Sequence, residues 1–239
     1  MVQRKSKYSS LCLVLTLTLS PNASSLIVKG VQDEWPPYFH KDTMNKGKLH
    51  RQVDEIFCAA KMQLAVEILP WNRAYKMAKS GEVDVIVGAW KTPQREKDLY
   101  FSEPYYTNQI KVISLKSAPV QYQDLQQERT IKIAVVSGYA YGQNISNEKV
   151  SFYHTKSANE NIEFLIKNRV DAMLMDEEVF HWNIEQQSLD KNQFHVSEQA
   201  VDVLPIYLAL SKNNALSKSI LAEFNQALIS KKPCETAKP

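Results

Sequence analysis

The sequence predicts an α/β protein built from two similar units. Three observations carry this. Short apolar runs alternate with amphipathic helical patterns, the order that places helices over parallel strands. A local signature occurs twice: a helix end, then Gly81-Glu82-Val83-Asp84 or Asn168-Arg169-Val170-Asp171, then an apolar strand and a polar loop. Two extended runs, Gln109 to Lys116 and Ile206 to Lys212, follow the two units and suit a chain that crosses from one unit to the other and returns.

The elements follow in order. Residues 1–25 open with Arg4, Lys5 and Lys7, continue through the apolar run LCLVLTLTL and end in SPNASS. A basic start, a short apolar run and small residues make a secretory signal peptide, with cleavage expected near Ser25. Its removal takes three basic residues from 29 and leaves 26 Lys/Arg against 26 Asp/Glu. A neutral mature chain excludes a charge-driven nucleic-acid or anionic-membrane partner. Ser25 to Val31 reads as a strand. Leu49, Val53, Ile56, Phe57 and Ala60 fall at helical spacing within Lys48 to Met62. Gln63 to Leu69 alternates as a strand, Trp71 to Lys79 is a helix stopped at Ser80-Gly81, and Val83 to Val87 is a buried strand. The second unit has a strand at Ile131 to Val136, a helix at Ser157 to Asn168 and a strand at Val170 to Met175. A last helix covers Ser217 to Ile229, and Lys231-Lys232-Pro233 begins a disordered tail.

In parallel sheets ligands gather beyond the carboxyl ends of the strands. Four loops take such positions here: Asp33 to Phe39, Gly88 to Arg95, Ser137 to Gly142 and Asp176 to Glu178. Arg95 offers a planar fork that matches a carboxylate, or else is a solvated arginine in a charged turn. Asp176 can accept from a ligand ammonium, or cap the helix that Glu177 and Glu178 begin, or do both. Trp35, Tyr38 and Trp90 can wall a cleft or simply pack. Ser137-Gly138 can present backbone amides. The five histidines are scattered and read as structural or surface residues. No Cys/His spacing suits a metal, and no cofactor is expected. Two unpaired thiols are expected at Cys58 and Cys234, with a bridge between them as the alternative. Asn144-Ile-Ser fits a short glycosylation pattern.

The stretches DEWPPYF, VDVIVGAWKTPQREKDLYFSEPYY, VVSGYAYG and VDAMLMDE resemble the extracellular solute-binding proteins of family 3, the periplasmic binding components of polar amino-acid ABC transporters. The resemblance runs over roughly residues 26–228. It implies a two-lobed periplasmic-binding-protein-like fold, with residues 26–109 and 207–239 in the first lobe and 110–206 in the second. It also implies a monomer that closes on a small ligand, an amino acid or related carboxylate, and passes it to a permease. On this resemblance Arg95 grips the ligand carboxylate and Asp176 receives its ammonium. Asp33 and Gly88 belong to the first-lobe wall, and Gly138 with Tyr139 to the second-lobe loop. Trp90 stands where many members carry a small hydroxyl residue, and Val136 and Ala140 stand at positions often polar or glycine. The cleft is therefore expected to be more aromatic than usual and to favour an aromatic or cationic amino acid, or a solute of another kind. Two other functions share the scaffold: a periplasmic sensor that presents its closed form to a receptor, and a dehydratase or lyase using Glu177 or Glu178 as general acid. No nucleophile–base pair supports the enzyme.

Overall fold

The computed structural model describes residues 25–42, 46–127, 129–140, 145, 148–231 and 233–234. The expected signal peptide, the Asn144 acceptor pattern and most of the expected tail lie outside the described residues.

The strands are β1 (Leu26–Gln32), β2 (Met62–Ile68), β3 (Val85–Trp90), β4 (Leu99–Phe101), β5 (Tyr106–Leu115), β6 (Ile131–Val136), β7 (Val150–Thr155), β8 (Ala172–Asp176), β9 (Phe194–Val196) and β10 (Asp202–Ser211). The helices are α1 (Lys48–Ala59), α2 (Trp71–Ser80), α3 (Pro93–Glu96), α4 (Ala158–Ile166), α5 (Glu177–Gln186) and α6 (Ser217–Ser230). One sheet runs in the order β2-β1-β3-β10-β5-β8-β6-β7. Its two ends are parallel sets: β1 lies between β2 and β3, and β6 between β7 and β8. Between them β5 and β10 pair antiparallel, with Asp202 opposite Ile110 and Ile206 opposite Tyr106. These are the two crossing segments read from the sequence, each begun several residues earlier than its apolar run.

The repeated signature has a structural meaning. Gly81 and Asn168 both take the left-handed conformation that ends a helix, at φ 84° and 53°. Asp84 then accepts from the Lys29 amide at 2.7 Å, and its own amide donates to the Lys29 carbonyl. Asp171 does the same with Lys132, at 2.8 Å. Each aspartate pins the approach to one strand to its parallel neighbour, at the middle of β1 or near the start of β6.

The β3 run is buried throughout because helices cover both of its faces. On one side α1 contributes Leu49, Val53 and Phe57 and α6 contributes Ile220 and Phe224. On the other α2 contributes Ala74 and Ala78 against Val31, Ile86 and Ala89. Full burial of each such valine or isoleucine stabilises by about 1.5–3 kcal/mol.

Cys58 and Cys234 form a disulfide, with Cα atoms 5.2 Å apart. This corrects the expectation of two free thiols. Cys58 sits half-buried on α1, and α6 packs against α1, so the chain leaving α6 is delivered to the thiol. That approach depends on helix packing and has no local sequence signal. Among the described residues no cluster suits a metal ion, and no helix is long and apolar enough to cross a membrane.

Candidate functional site

The sheet order brings the carboxyl ends of β1, β3, β6 and β8 together around the crossing pair. Trp90, the last residue of β3, lies opposite Ile206, and Asp176, the last residue of β8, lies opposite Ile110. A cleft of about 550 Å³ opens here, lined from the first half by Asp33, Trp35, Trp71 and Trp90 and from the second by Ser137, Tyr139, Asp176 and Trp182. Gly88 and Trp90 were expected in a loop. They instead complete β3, which carries the indole straight to the cleft.

Two acids of the cleft, Asp33 and Asp176, are fixed by neutral groups. Asp176 caps α5 by accepting from the Val179 amide at 2.9 Å. The same oxygen, Oδ1, accepts from the Tyr38 hydroxyl at 2.8 Å, and Oδ2 accepts from Asn108 Nδ2 at 2.7 Å. Asn108 also donates to the Tyr38 oxygen at 3.0 Å and accepts from the Trp90 indole at 2.9 Å. One amide on the crossing strand β5 thus ties together three of the expected site residues. Asp33 accepts from Gln32 Nε2 and from the Tyr139 hydroxyl, both at 2.7 Å. Gln32 in turn accepts from the Gly88 amide at 2.8 Å. Burial raises the pKa of both Asp33 and Asp176, more than these hydrogen bonds lower it. Among the described residues neither acid has a basic side chain within ion-pair distance.

Arg95 is held by its own backbone neighbourhood. Thr92 caps α3 and accepts from the Arg95 amide, with Pro93 at the first helical position. This turn points the side chain inward, where Nη1 donates to the Trp90 carbonyl at 2.7 Å and Nη2 to the Gly138 carbonyl at 3.2 Å. The guanidinium also stacks 4.5 Å from the Trp71 ring. Burial is the main cause that lowers its pKa, to about 10, against the favourable charge of Asp33. It stays charged at neutral pH.

Aromatic rings close the floor. Trp35 meets Tyr38, Trp90 and Tyr139 edge to face at 5.0, 5.3 and 6.0 Å. Tyr38 is fully buried, so it supports the wall from behind. At one rim Lys48 donates to Tyr106 at 2.6 Å and to Glu178 at 2.5 Å, while the Tyr106 hydroxyl donates to Glu178. At the outer edge His40 lies edge-on to Trp182 at 5.4 Å. These contacts, with Tyr139–Asp33 and Arg95–Gly138, link the two halves of the sheet directly across the cleft.

Residues 27–232 match the bacterial extracellular solute-binding proteins, family 3. The chain belongs to that family. Its fold is the two-lobed one seen in solved structures of binding proteins. A Gly52Ala mutant of arginine-bound ArgBP from T. maritima superposes with a TM-score of 0.69 at 19% identity, over 87% of this chain and 96% of that one. The substrate binding protein of an amino acid ABC transporter gives 0.68 at 19%, over 85% and 92%. The GluR0 ligand-binding core from Nostoc punctiforme, in complex with L-glutamate, gives 0.69 at 16%, over 85% and 92%. All three are binding proteins or ligand-binding cores, and at these identities they speak to the fold alone.

All nine residues singled out from the sequence therefore meet in one region of this family 3 protein. Asp33, Trp35, Trp90, Tyr139 and Asp176 border the large cleft, whereas Tyr38, Gly88, Arg95 and Gly138 stand behind or beside it. Asn108, Gln32, Trp71 and Lys48 were not singled out. Asn108 offered no local signal, since it stands beside Gln109 in the polar first half of YTNQIKVISL. Gln32 and Trp71 sit at element ends beside recognised motifs, and Lys48 reads only as a helix start.

Proposed function

We propose that this family 3 protein captures a small solute, of the amino-acid or related kind, between its two lobes by closure about β5 and β10, and delivers it to a membrane ABC transporter. The observation that carries this reading is the 550 Å³ cleft, walled from both lobes, with one buried carboxylate facing it from each side: Asp33 from the first and Asp176 from the second. A buried carboxylate without a cation is costly, and a ligand that brings one has a stronger interaction with the closed form than with the open form. Trp35, Trp90 and Tyr139 would contact the solute, while Tyr38, Gly88, Arg95 and Gly138 hold those walls in place. The lobes would be residues 26–109 with 207–239, and 110–206. Function outside the cytoplasm, as a monomer released from the signal peptide at residues 1–25, accords with the extracellular family and with the Cys58–Cys234 disulfide. Catalysis is not part of the proposal: Glu178 is engaged by Lys48 and Tyr106 at the rim, and Glu177 faces Lys111 and His181.

The test is thermal unfolding of mature protein, refolded after denaturant removes any co-purified solute, against amino acids, amines and other small metabolites. A ligand at a hundred times its dissociation constant adds about 2.7 kcal/mol. For a chain of this size that raises Tm by roughly 5–10 °C. A compaction on binding, seen by small-angle scattering, accompanies it. A panel that produces neither shift nor compaction defeats the capture reading.

A further inference from the structure

The cleft separates its charges by sign, and that separation identifies a class of solute. We infer that the ligand is an organic cation without an α-carboxylate, its positive group held between Asp33 and Asp176 among aromatic walls, while Arg95 acts as a strut between the lobes. This rests on the reading of the cleft as the solute site.

Arg95 is already engaged and is shut away from the large space. Its two terminal nitrogens donate to the Trp90 and Gly138 carbonyls, and its face covers Trp71. It does not border the 550 Å³ cleft. The void it does border measures about 20 Å³. That is room for about one water, and too little for a carboxylate group. Asp33, Trp35, Trp71, Trp90 and Tyr139 border both spaces, and the rings of Trp35, Trp90 and Tyr139 interlock edge to face. A carboxylate reaching the guanidinium has to displace some of these side chains.

The charges that do border the large space favour a cation. Asp33 and Asp176 are 7% and 4% exposed. Arg95 lies near enough to favour the charge of Asp33, whereas among the described residues no cation acts on Asp176. A carboxylate offers about four acceptor positions. Asp176 Oδ2 receives one bond, from Asn108, and retains capacity toward the cleft. The two lysines that border the same space lie at its exposed edge, and one of them, Lys41, pairs with Glu34 at 3.1 Å. Aromatic rings attract ammonium and guanidinium groups and offer an anion nothing comparable. An α-carboxylate placed here meets two buried acids and indole rings, and the buried guanidinium nearby, Arg95, already gives its terminal nitrogens to the Trp90 and Gly138 carbonyls.

The decisive experiment is calorimetric titration of the refolded mature protein with matched pairs that differ only by the carboxylate: agmatine and arginine, cadaverine and lysine, histamine and histidine. In the pair that binds, the amine is expected to bind at least as tightly as its parent amino acid, and Asp33→Asn to weaken it by more than tenfold. An amino acid that binds more than tenfold tighter than its amine overturns the inference and leaves capture of a small solute standing. If no amine, amino acid or other small solute binds, the capture reading fails and the inference falls with it.

Discussion

The Lys48 ammonium on α1 and the Glu178 carboxylate on α5 meet at 2.5 Å, joining the two halves of the sheet. Tyr106, at the start of the crossing strand β5, bonds to both. Burial works against charge at this rim, yet the mutual hydrogen bonds raise the Lys48 pKa and lower that of Glu178. Both ends stay ionised across the neutral range. The pair joins the two halves of the sheet without any solute, so under the proposed closure it favours the closed form.

Its size is limited by exposure, since the two side chains are 39% and 45% accessible. Screened pairs of this kind contribute about 0.2–1 kcal/mol. Glu178→Gln is therefore expected to weaken ligand binding by roughly two- to fivefold at low salt, in proportion to the lost bias toward closure. The deficit should shrink as salt rises, because about 1 M salt shortens the screening length to ~3 Å. Titration calorimetry across ionic strength checks this. A deficit independent of salt would mean that Glu178 supports packing and not the charge bridge.

Gly138 gives a sharper test of closure. It has φ 82°, and a Cβ there would lie 2.9 Å from Asn72 Oδ1 and 3.0 Å from Trp71 Cδ1, both on the opposite lobe. Gly138→Ala carries a backbone cost of about 1–3 kcal/mol whether the lobes are open or closed. The contact with Trp71 and Asn72 is made only when they are closed. A loss of affinity of about tenfold or more, beyond a modest fall in Tm, is the expected result. Gly88→Ala should behave differently. Its Cβ would lie 2.8 Å from the Phe39 ring within one lobe, so it lowers stability in either state. Paired Tm and affinity measurements distinguish the two glycines.

These residues also show how far the sequence reads ahead of the structure. Asp84 and Asp171 were legible as a repeat because each acts on backbone within its own parallel unit, where local order repeats. The loops around the cleft were legible because strand–loop–helix order places strand ends on one edge. The direct partners across the cleft were not. Tyr38 reaches Asp176 over 138 residues of sequence, and Asn108 gathers Tyr38, Trp90 and Asp176 from three separate segments. Such meetings depend on how distant segments come together in the fold, and no local pattern encodes them. β7 was missed for a simpler reason: VSFYHT is exposed along most of its length, so it carries no buried alternation.

The disulfide makes a prediction about compartment and stability. Cys58 and Cys234 are 176 residues apart in sequence, so the bridge closes most of the mature chain into one loop. Loops of that length constrain the unfolded chain strongly, and native bridges contribute about 2–4 kcal/mol. The double variant Cys58→Ser with Cys234→Ser is expected to lower Tm by roughly 5–15 °C. Ligand affinity should change little, since the bridge ties α1 to the chain end after α6 and spans no part of the cleft. Calorimetry with and without reductant checks the first point, and thiol labelling of exported protein checks that the bond forms.

Proton linkage at Asp33 and Asp176 gives the last prediction. Burial raises both carboxyls above their ordinary values, so the folded, ligand-free protein holds these protons more tightly than the unfolded chain. The sign follows directly. Their stabilising contribution is complete below the unfolded carboxyl pKa, and it is lost as pH rises through the raised folded values. Above that window each ionised acid destabilises the free protein, and a bound cation reverses the effect by partnering the charge. Asp176→Asn keeps the helix cap on α5, because asparagine caps as well as aspartate. Its amide NH2 would face Asn108 Nδ2, donor against donor, so no gain in Tm is expected, but ligand-induced stabilisation should be lost. Wild-type affinity for a cationic ligand should fall on acidification, beginning at a higher pH than an ordinary aspartate would give. Thermal unfolding from mildly acidic to neutral pH, with and without ligand, measures both effects. A wild-type affinity that does not vary over that range, with an Asp176→Asn protein that ligand still stabilises, would show that these carboxyls do not carry the binding charge.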